Sequence, residues 1–240
     1  MNLSEYLERA GLGAAIAGDD LAQADATVTE LLKDARARSV PATPRALNGL
    51  YQYRVPKTAP DGSCSLPDQL EAAPYDLTAI LGGRVAFNTM SLLAVDSMVD
   101  LVSTQLAVGW LGAYQARAGA GGQVLVKLAS RGVPSRAEYP LTADFAKGSN
   151  NVAVARSGKA RVIQDVAAHV AKGGAYYQCD AKVKSEACLP VLRDGKVLGV
   201  VDAEHSESGY FIERRLAWLV ALAFHLPGVL PPNGLALDAR

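Results

Sequence analysis

The chain has 240 residues, half of them hydrophobic, which is enough to bury one sizeable core. Its 24 Lys and Arg residues balance 24 Asp and Glu residues, so the net charge is zero. That balance offers no basic surface for nucleic acid or an anionic membrane, and argues against both as partners. The opening Met1-Asn2-Leu3-Ser4-Glu5 lacks the basic start and apolar run of a signal peptide. The apolar stretch from Leu216 to Leu226 is too short to span a bilayer. Cys64, Cys179 and Cys188 are an odd number of cysteines without CxxC spacing, which fits free thiols better than a disulfide scaffold or metal site. The expectation is a soluble cytoplasmic protein without metal or bound cofactor.

In chain order, Ser4 is placed to cap a first helix running through Tyr6, Leu7 and Ala10 towards Ile16. Asp19 or Asp20 is placed to cap a second, with Leu21, Ala24, Val28, Leu31 and Leu32 at helical spacing. Pro41 and Pro44 end this unit, and the turn-rich run from Pro56 to Ser63 resembles a loop or linker. Neither helix spaces residues for chemistry; a helical extension that packs on the main domain or forms a dimer interface is the expectation.

From Phe87 the pattern becomes regular. Asn88 or Thr89 can cap a helix with Leu92, Leu93, Val95, Met98, Val99 and Val102 on its apolar face. The runs from Val108 to Ala116 and from Gln123 to Ala129 flank a Gly-rich turn and read as a hairpin. A short helix from Asn150 to Ser157 and a strand from Ala160 to Ile163 follow. Glu186 to Leu192 and Lys196 to Asp202 form a second hairpin about Asp194-Gly195, and a last helix runs from Ile212 to Leu226. The predicted fold class is α+β, an antiparallel sheet with its terminal helices packed on one face. The predicted organisation is a helical extension and linker over 1–86, the domain over 87–227 and a tail over 228–240.

Side chains two apart on a strand share a face, so Trp110, Gly112 and Tyr114 point one way, the glycine leaving a gap between two aromatics. Asp202 and Glu204 share a face in the last strand, and Glu186 shares one with Cys188. Paired carboxylates are costly to bury unless they meet a cation, a donor-rich ligand or a shared proton. By alternation His205 faces away from this set. His225 lies near a helix C-terminus, where a cation suits the dipole, and His169 falls in a loop. The spacing of these histidines does not build a metal site.

The segment from Ser185 to Val191, followed by Asp194-Gly195-Lys196-Val197-Leu198-Gly199-Val200-Val201-Asp202, resembles the signature hairpin of GAF domains. Cys179-Asp180-Ala181 before Ser185-Glu186 narrows the resemblance to the free methionine-(R)-sulfoxide reductases, which are stand-alone GAF enzymes. The resemblance covers about Asn88 to Leu226. It implies the GAF fold and matches the family's Trp-x-Gly-x-Tyr strand to Trp110, Gly112 and Tyr114. The family's pocket glutamate matches Glu186, and its paired acids match Asp202 and Glu204. In those enzymes the aromatics hold the methyl and sulfoxide end of the substrate, and the acids bind its ammonium and help protonate the sulfoxide oxygen. The implied ligand-binding set is therefore Trp110, Tyr114, Asp180, Glu186, Asp202 and Glu204.

Sulfoxide reduction also needs a nucleophilic thiol and a second thiol to resolve it. Cys179 matches one of three family cysteines. The other two should fall between Val133 and Asn151, where Asn150 and a position near Arg136 stand instead. Cys188, or Cys64 if its loop folds over, is the remaining candidate for the resolving thiol, and Cys188 is equally a packing residue. Two functions follow: a sensor or carrier for methionine sulfoxide or a similar amino-acid-like ligand, or a reductase using Cys179 with Cys188 or Cys64 and recycled by thioredoxin or another thiol reductant. The resemblance also implies pairing of two copies through the terminal helices.

Overall fold

The computed structural model describes residues 1–13, 16, 18–37, 43–59, 65–177 and 180–239. Cys64, Cys179 and Pro41 lie outside the described residues. Helix α1 (Leu3–Ala10) is capped by Asn2 instead of Ser4. The Asn2 side chain accepts from the Glu5 amide at 2.9 Å, and the Glu5 carboxylate accepts from the Asn2 amide at 3.0 Å. This reciprocal pair fixes the start one turn before the apolar stripe. Helix α2 (Asp19–Ala37) carries Asp19 and Asp20 within its first turn, where negative charge offsets the helix dipole. Its buried stripe is Leu21, Ala24, Val28 and Leu32.

After α3 (Pro44–Tyr51) the chain departs from a plain linker. Four short strands, β1 (Gln52–Tyr53), β2 (Pro56–Thr58), β3 (Ser65–Leu70) and β4 (Tyr75–Asp76), pair antiparallel as β1 with β4 and β2 with β3. Pro56 opens β2, a strand position where its missing N–H costs nothing. Turn residues alone did not reveal these strands because the pairing partners lie beyond the turn.

Helix α4 (Thr78–Leu81) leads into α5 (Ala86–Leu106), which starts before Asn88 and Thr89. Neither residue caps it. Asn88 Nδ2 donates to the Leu81 and Gly83 carbonyls, both at 2.9 Å, tying the helix to the preceding turn. Leu92, Val95, Met98, Val99 and Val102 are buried along α5.

The main sheet is antiparallel, with order β7-β6-β5-β10-β9-β8. Its strands are β5 (Trp110–Gly119), β6 (Gly122–Arg131), β7 (Glu138–Pro140), β8 (Arg161–Ile163), β9 (Ser185–Arg193) and β10 (Lys196–His205). Asp194 at φ 51 and Gly195 at φ 76 close the β9–β10 hairpin, the paired positive φ of a tight turn matched to strand twist. Helices α6 (Asn150–Ser157) and α7 (Val166–Ala171) interrupt the strands, and α8 (Glu213–His225) follows them.

Helices α2, α5 and α8 pack on one another as one layer, α5 and α8 lying against the sheet. The N-terminal extension is locked to this unit. Tyr6 donates its buried hydroxyl to the Pro190 carbonyl on β9 at 2.8 Å, and His225 Nε2 on α8 meets Asp25 Oδ1 on α2 at 2.7 Å. Tyr6, Leu7 and Val28 share one core cluster with the sheet residues Leu111, Leu189 and Val201. Past α8 the tail crosses the sheet, Leu235 donating to Ala116 and Leu237 exchanging both backbone bonds with Val197. No helix among the described residues is long and apolar enough to cross a membrane.

Candidate functional site

Sheet register gathers the predicted face. Glu204 sits opposite both Glu186 on β9 and Trp110 on β5, and Asp202 sits opposite both Cys188 and Gly112. Residues directly opposite in a ladder point the same way, so these six positions share one surface at the centre of the sheet. Over part of it lies a cavity of about 100 Å³, space for several water-sized groups. Its floor is Trp110, Glu186 and Glu204. Its walls come from the β6–β7 loop with Ser135 and Arg136, the start of α6 with Asn150 and Asn151, and the segment before β9 with Tyr176 and Asp180.

Trp110, Asp180, Glu186 and Glu204 of the predicted ligand-binding set line the cavity, whereas Tyr114 and Asp202 lie one layer behind it, each almost fully buried. The gap anticipated between the Trp110 and Tyr114 rings is closed. A Cβ on Gly112 would stand 2.3 Å from Trp110 Cη2, so the indole itself covers the glycine. The two rings are 6.2 Å apart, tilted by 36°, leaving no slot for a third group. The sequence predicts the shared face; it does not carry the rotamer that fills it.

Electrostatically the floor is unusual. Glu186 is 3 % exposed and Asp202 2 %. Burial pushes both carboxyl groups up, and the Asp202 group is raised further by Glu186 and Glu204. Glu204 is pushed up to about 8, first by burial and then by Glu186 and Asp180. Asn151 Nδ2 donates to Asp202 Oδ2 at 2.9 Å, while Asp202 Oδ1 has no hydrogen-bond partner among the described residues. Arg161 is a cation whose charge favours ionised Glu186, and Tyr176 donates to that carboxylate. The Asn150 amide nears Glu186 closely enough to favour its charge, yet Asn150 Nδ2 and Trp110 Nε1 make no bond of proper geometry among the described residues. Buried polar groups are nearly always paired, so these two donors on cavity-lining residues leave room for a polar occupant.

Cys188 is fully buried behind the floor, its Sγ 3.8 Å from Asn151 Oδ1. Burial and the nearby Asp202 and Glu186 push its thiol up, opposite to the thiolate character a resolving cysteine needs. Cys179 and Cys64, lying outside the described residues, are not placed. His205 stacks on Tyr210 at 3.3 Å, away from the cavity, and His169 belongs to α7. Among the described residues no group of three or more His, Cys, Asp or Glu is arranged to hold a metal ion.

Several lining residues carried no signal of their own in the sequence. Tyr176, Tyr139 and Arg136 come from loops or a short edge strand, where periodicity is silent. In the sequence, Asn150 and Arg136 stand out only as positions without cysteine. An Asn-Asn pair opening a helix and a Tyr-Tyr pair in irregular backbone are the available hints.

The sequence pattern of the GAF-domain family matches residues 86–227. Among solved structures, the chain is similar to a type II free methionine-R-sulfoxide reductase from Thermoplasma acidophilum. The TM-score is 0.53 at 16 % identity, over 62 % of this chain and 98 % of that one. It is also similar to a free methionine-R-sulfoxide reductase from Neisseria meningitidis in complex with its substrate, at TM-score 0.48 and 19 % identity, over 62 % and 84 % of the two chains. A GAF domain of an Acinetobacter phosphoenolpyruvate-protein phosphotransferase gives 0.48 and 22 %, over 58 % and 81 %. At 16 % identity the first of these likenesses speaks to fold alone. No curated protein matches the chain in sequence.

Proposed function

Because this chain belongs to the GAF-domain family, we propose that it binds a small amino-acid-like ligand, methionine sulfoxide or a similar molecule, as a sensor or carrier. The observation that carries this reading is the acidic trio at and behind the cavity floor, Glu186 and Asp202 buried and Glu204 half-buried. An ammonium group entering the cavity would meet carboxylates whose charge is otherwise poorly compensated, and would favour their ionised forms. Trp110, in the lining of the same cavity, supplies an apolar surface beside them. Calorimetric titration of the full chain with free L-methionine-(R)-sulfoxide tests it. Saturable binding, lost in Glu186→Ala, is expected; no binding of this or related amino acids would sink the reading.

A second reading, a working free methionine-(R)-sulfoxide reductase, is favoured by the raised Glu204 carboxyl, which keeps a proton near neutral pH. Reduction converts one sulfoxide and two thiols to a sulfide, a disulfide and water, so an acid beside the sulfoxide oxygen is useful. Cys179 would be the attacking thiol, with Cys188 or Cys64 as resolving partner and thioredoxin or another reductant regenerating the pair. Methionine formation with dithiothreitol, abolished in Cys179→Ser, would establish it. Absence of turnover despite saturable binding would remove it.

A further inference from the structure

Three acids ring the cavity, Asp180, Glu186 and Glu204, and among its described lining residues Arg136 is the only cationic side chain. The acids stand on the sheet floor and on the segment that precedes β9. Arg136 stands on the β6–β7 loop, and β6 lies two strands from β10 and three from β9 in the sheet. Its guanidinium lies 5.3 Å from the centroid of the Tyr139 ring and 5.1 Å from that of Phe145. Those rings continue an aromatic wall, Tyr139 packing on Tyr114 and Phe145 on Tyr177. Two ring faces beside one guanidinium restrict its position and supply cation–π attraction.

We propose that Arg136 is the anion-recognising pole of this cavity, so that the site selects zwitterions, taking a ligand's carboxylate at Arg136 and its ammonium at the acidic floor. This rests on the binding function proposed above and adds a specificity-determining residue to it. Charge separation across the cavity is the basis of the selection. A simple amine satisfies only the acids, and a simple carboxylate meets Arg136 but leaves the acidic floor without a cation. A molecule bearing both groups satisfies each. Arginine suits this role because its planar fork can grip a carboxylate through two parallel N–H···O bonds. The orphaned Trp110 and Asn150 donors lie in the same lining and offer an intermediate polar group of the ligand further hydrogen bonds.

The test compares L-methionine-(R)-sulfoxide with the corresponding amine lacking its carboxylate, titrated into the full chain, Arg136→Gln and Arg136→Lys. The expected result is that Arg136→Gln weakens zwitterion binding tenfold or more and leaves the amine unchanged, with Arg136→Lys intermediate. Circular dichroism and melting curves check that each variant is folded; if Gln disturbs the loop, the Lys variant and the wild-type preference for zwitterion over amine still decide. Equal wild-type affinity for the two probes, or equal loss of both in a folded variant, overturns the role of Arg136 while leaving the acidic pole intact. Failure of the wild type to bind either probe overturns both.

Discussion

Tyr53, in the N-terminal extension, donates its hydroxyl to the backbone carbonyl of Lys127 in the sheet at 2.7 Å, and its ring lies 4.8 Å from the Lys127 ammonium. That ammonium donates onward to the carbonyl and hydroxyl of Ser135, at 2.8 and 2.7 Å, and Ser135 lines the cavity. The extension therefore reaches the cavity wall through one lysine. In Lys127→Met, the two bonds to Ser135 are lost while the hydrophobic stem remains. Relief of a desolvated charge offsets the lost hydrogen bonds, so global stability should change by no more than about 1 kcal/mol. Amide hydrogen exchange across residues 132–136 should quicken; unchanged exchange there would show that Lys127 does not hold the loop.

Two titrating groups, half-buried Glu204 and buried Lys127, act on stability in opposite senses. Glu204, pushed up to about 8 from 4.5, holds a proton in the fold that the unfolded chain releases. The native state binds more protons between those values, so stability falls as pH rises through that window. Burial raises Glu186 against the hydrogen bonds of Tyr176 and Asn150 and the charge of Arg161, and raises Asp202 as well, so both lean the same way. Lys127, held down to about 7 from 10.5 by burial, gives up its proton in the fold first, so stability rises across its window. These limbs predict a stability minimum between about 7 and 8, seen by denaturant unfolding across the pH range. Glu204→Gln should make the falling limb shallower and Lys127→Met should remove the rising one. A profile untouched by either variant would contradict both assignments.

Gly112→Ala places a methyl 2.3 Å from Trp110 Cη2 and 2.8 Å from Cζ2. The indole must swing off the strand, at a cost of about 1–3 kcal/mol for overpacking. In a Trp218→Phe background, which leaves Trp110 as the sole tryptophan, the emission spectrum should shift and melting should fall. A spectrum identical to that of the parent would mean the ring is not seated on Gly112.

Tyr6→Phe removes the buried hydroxyl that binds the Pro190 carbonyl. Burial pushes this phenol up, so it remains a donor throughout the accessible pH range. An unpaired carbonyl left in the core costs about 1–3 kcal/mol. Denaturant unfolding should register that loss with an unchanged slope; no loss would mean that water reaches Pro190.

Much of this arrangement was legible in the residues. Asp194-Gly195 requires positive φ and so located the central hairpin. Alternation alone put Asp202 with Glu204, and Glu186 with Cys188, because a strand has only two faces. Alternation gives direction and not depth, so it could not say that Asp202 and Tyr114 sit behind the cavity while Glu204 lines it. Arg136 and Tyr176 reach the site from irregular backbone, whose path depends on contacts far away in sequence. The strands β1 to β4 were hidden for a similar reason: each is too short to show a period, and each is defined by its partner.

The bonds from Tyr6 to β9 and from Tyr53 to β6 also separate two meanings of the word domain. The family pattern begins at residue 86, but the packed core includes Tyr6, Leu7, Val28 and Tyr51. A fragment trimmed to the inherited module would uncover Pro190, Lys127 and the outer faces of α5 and α8 together. The heritable unit and the folding unit differ here by the whole N-terminal extension, and the intact chain should unfold in a single transition.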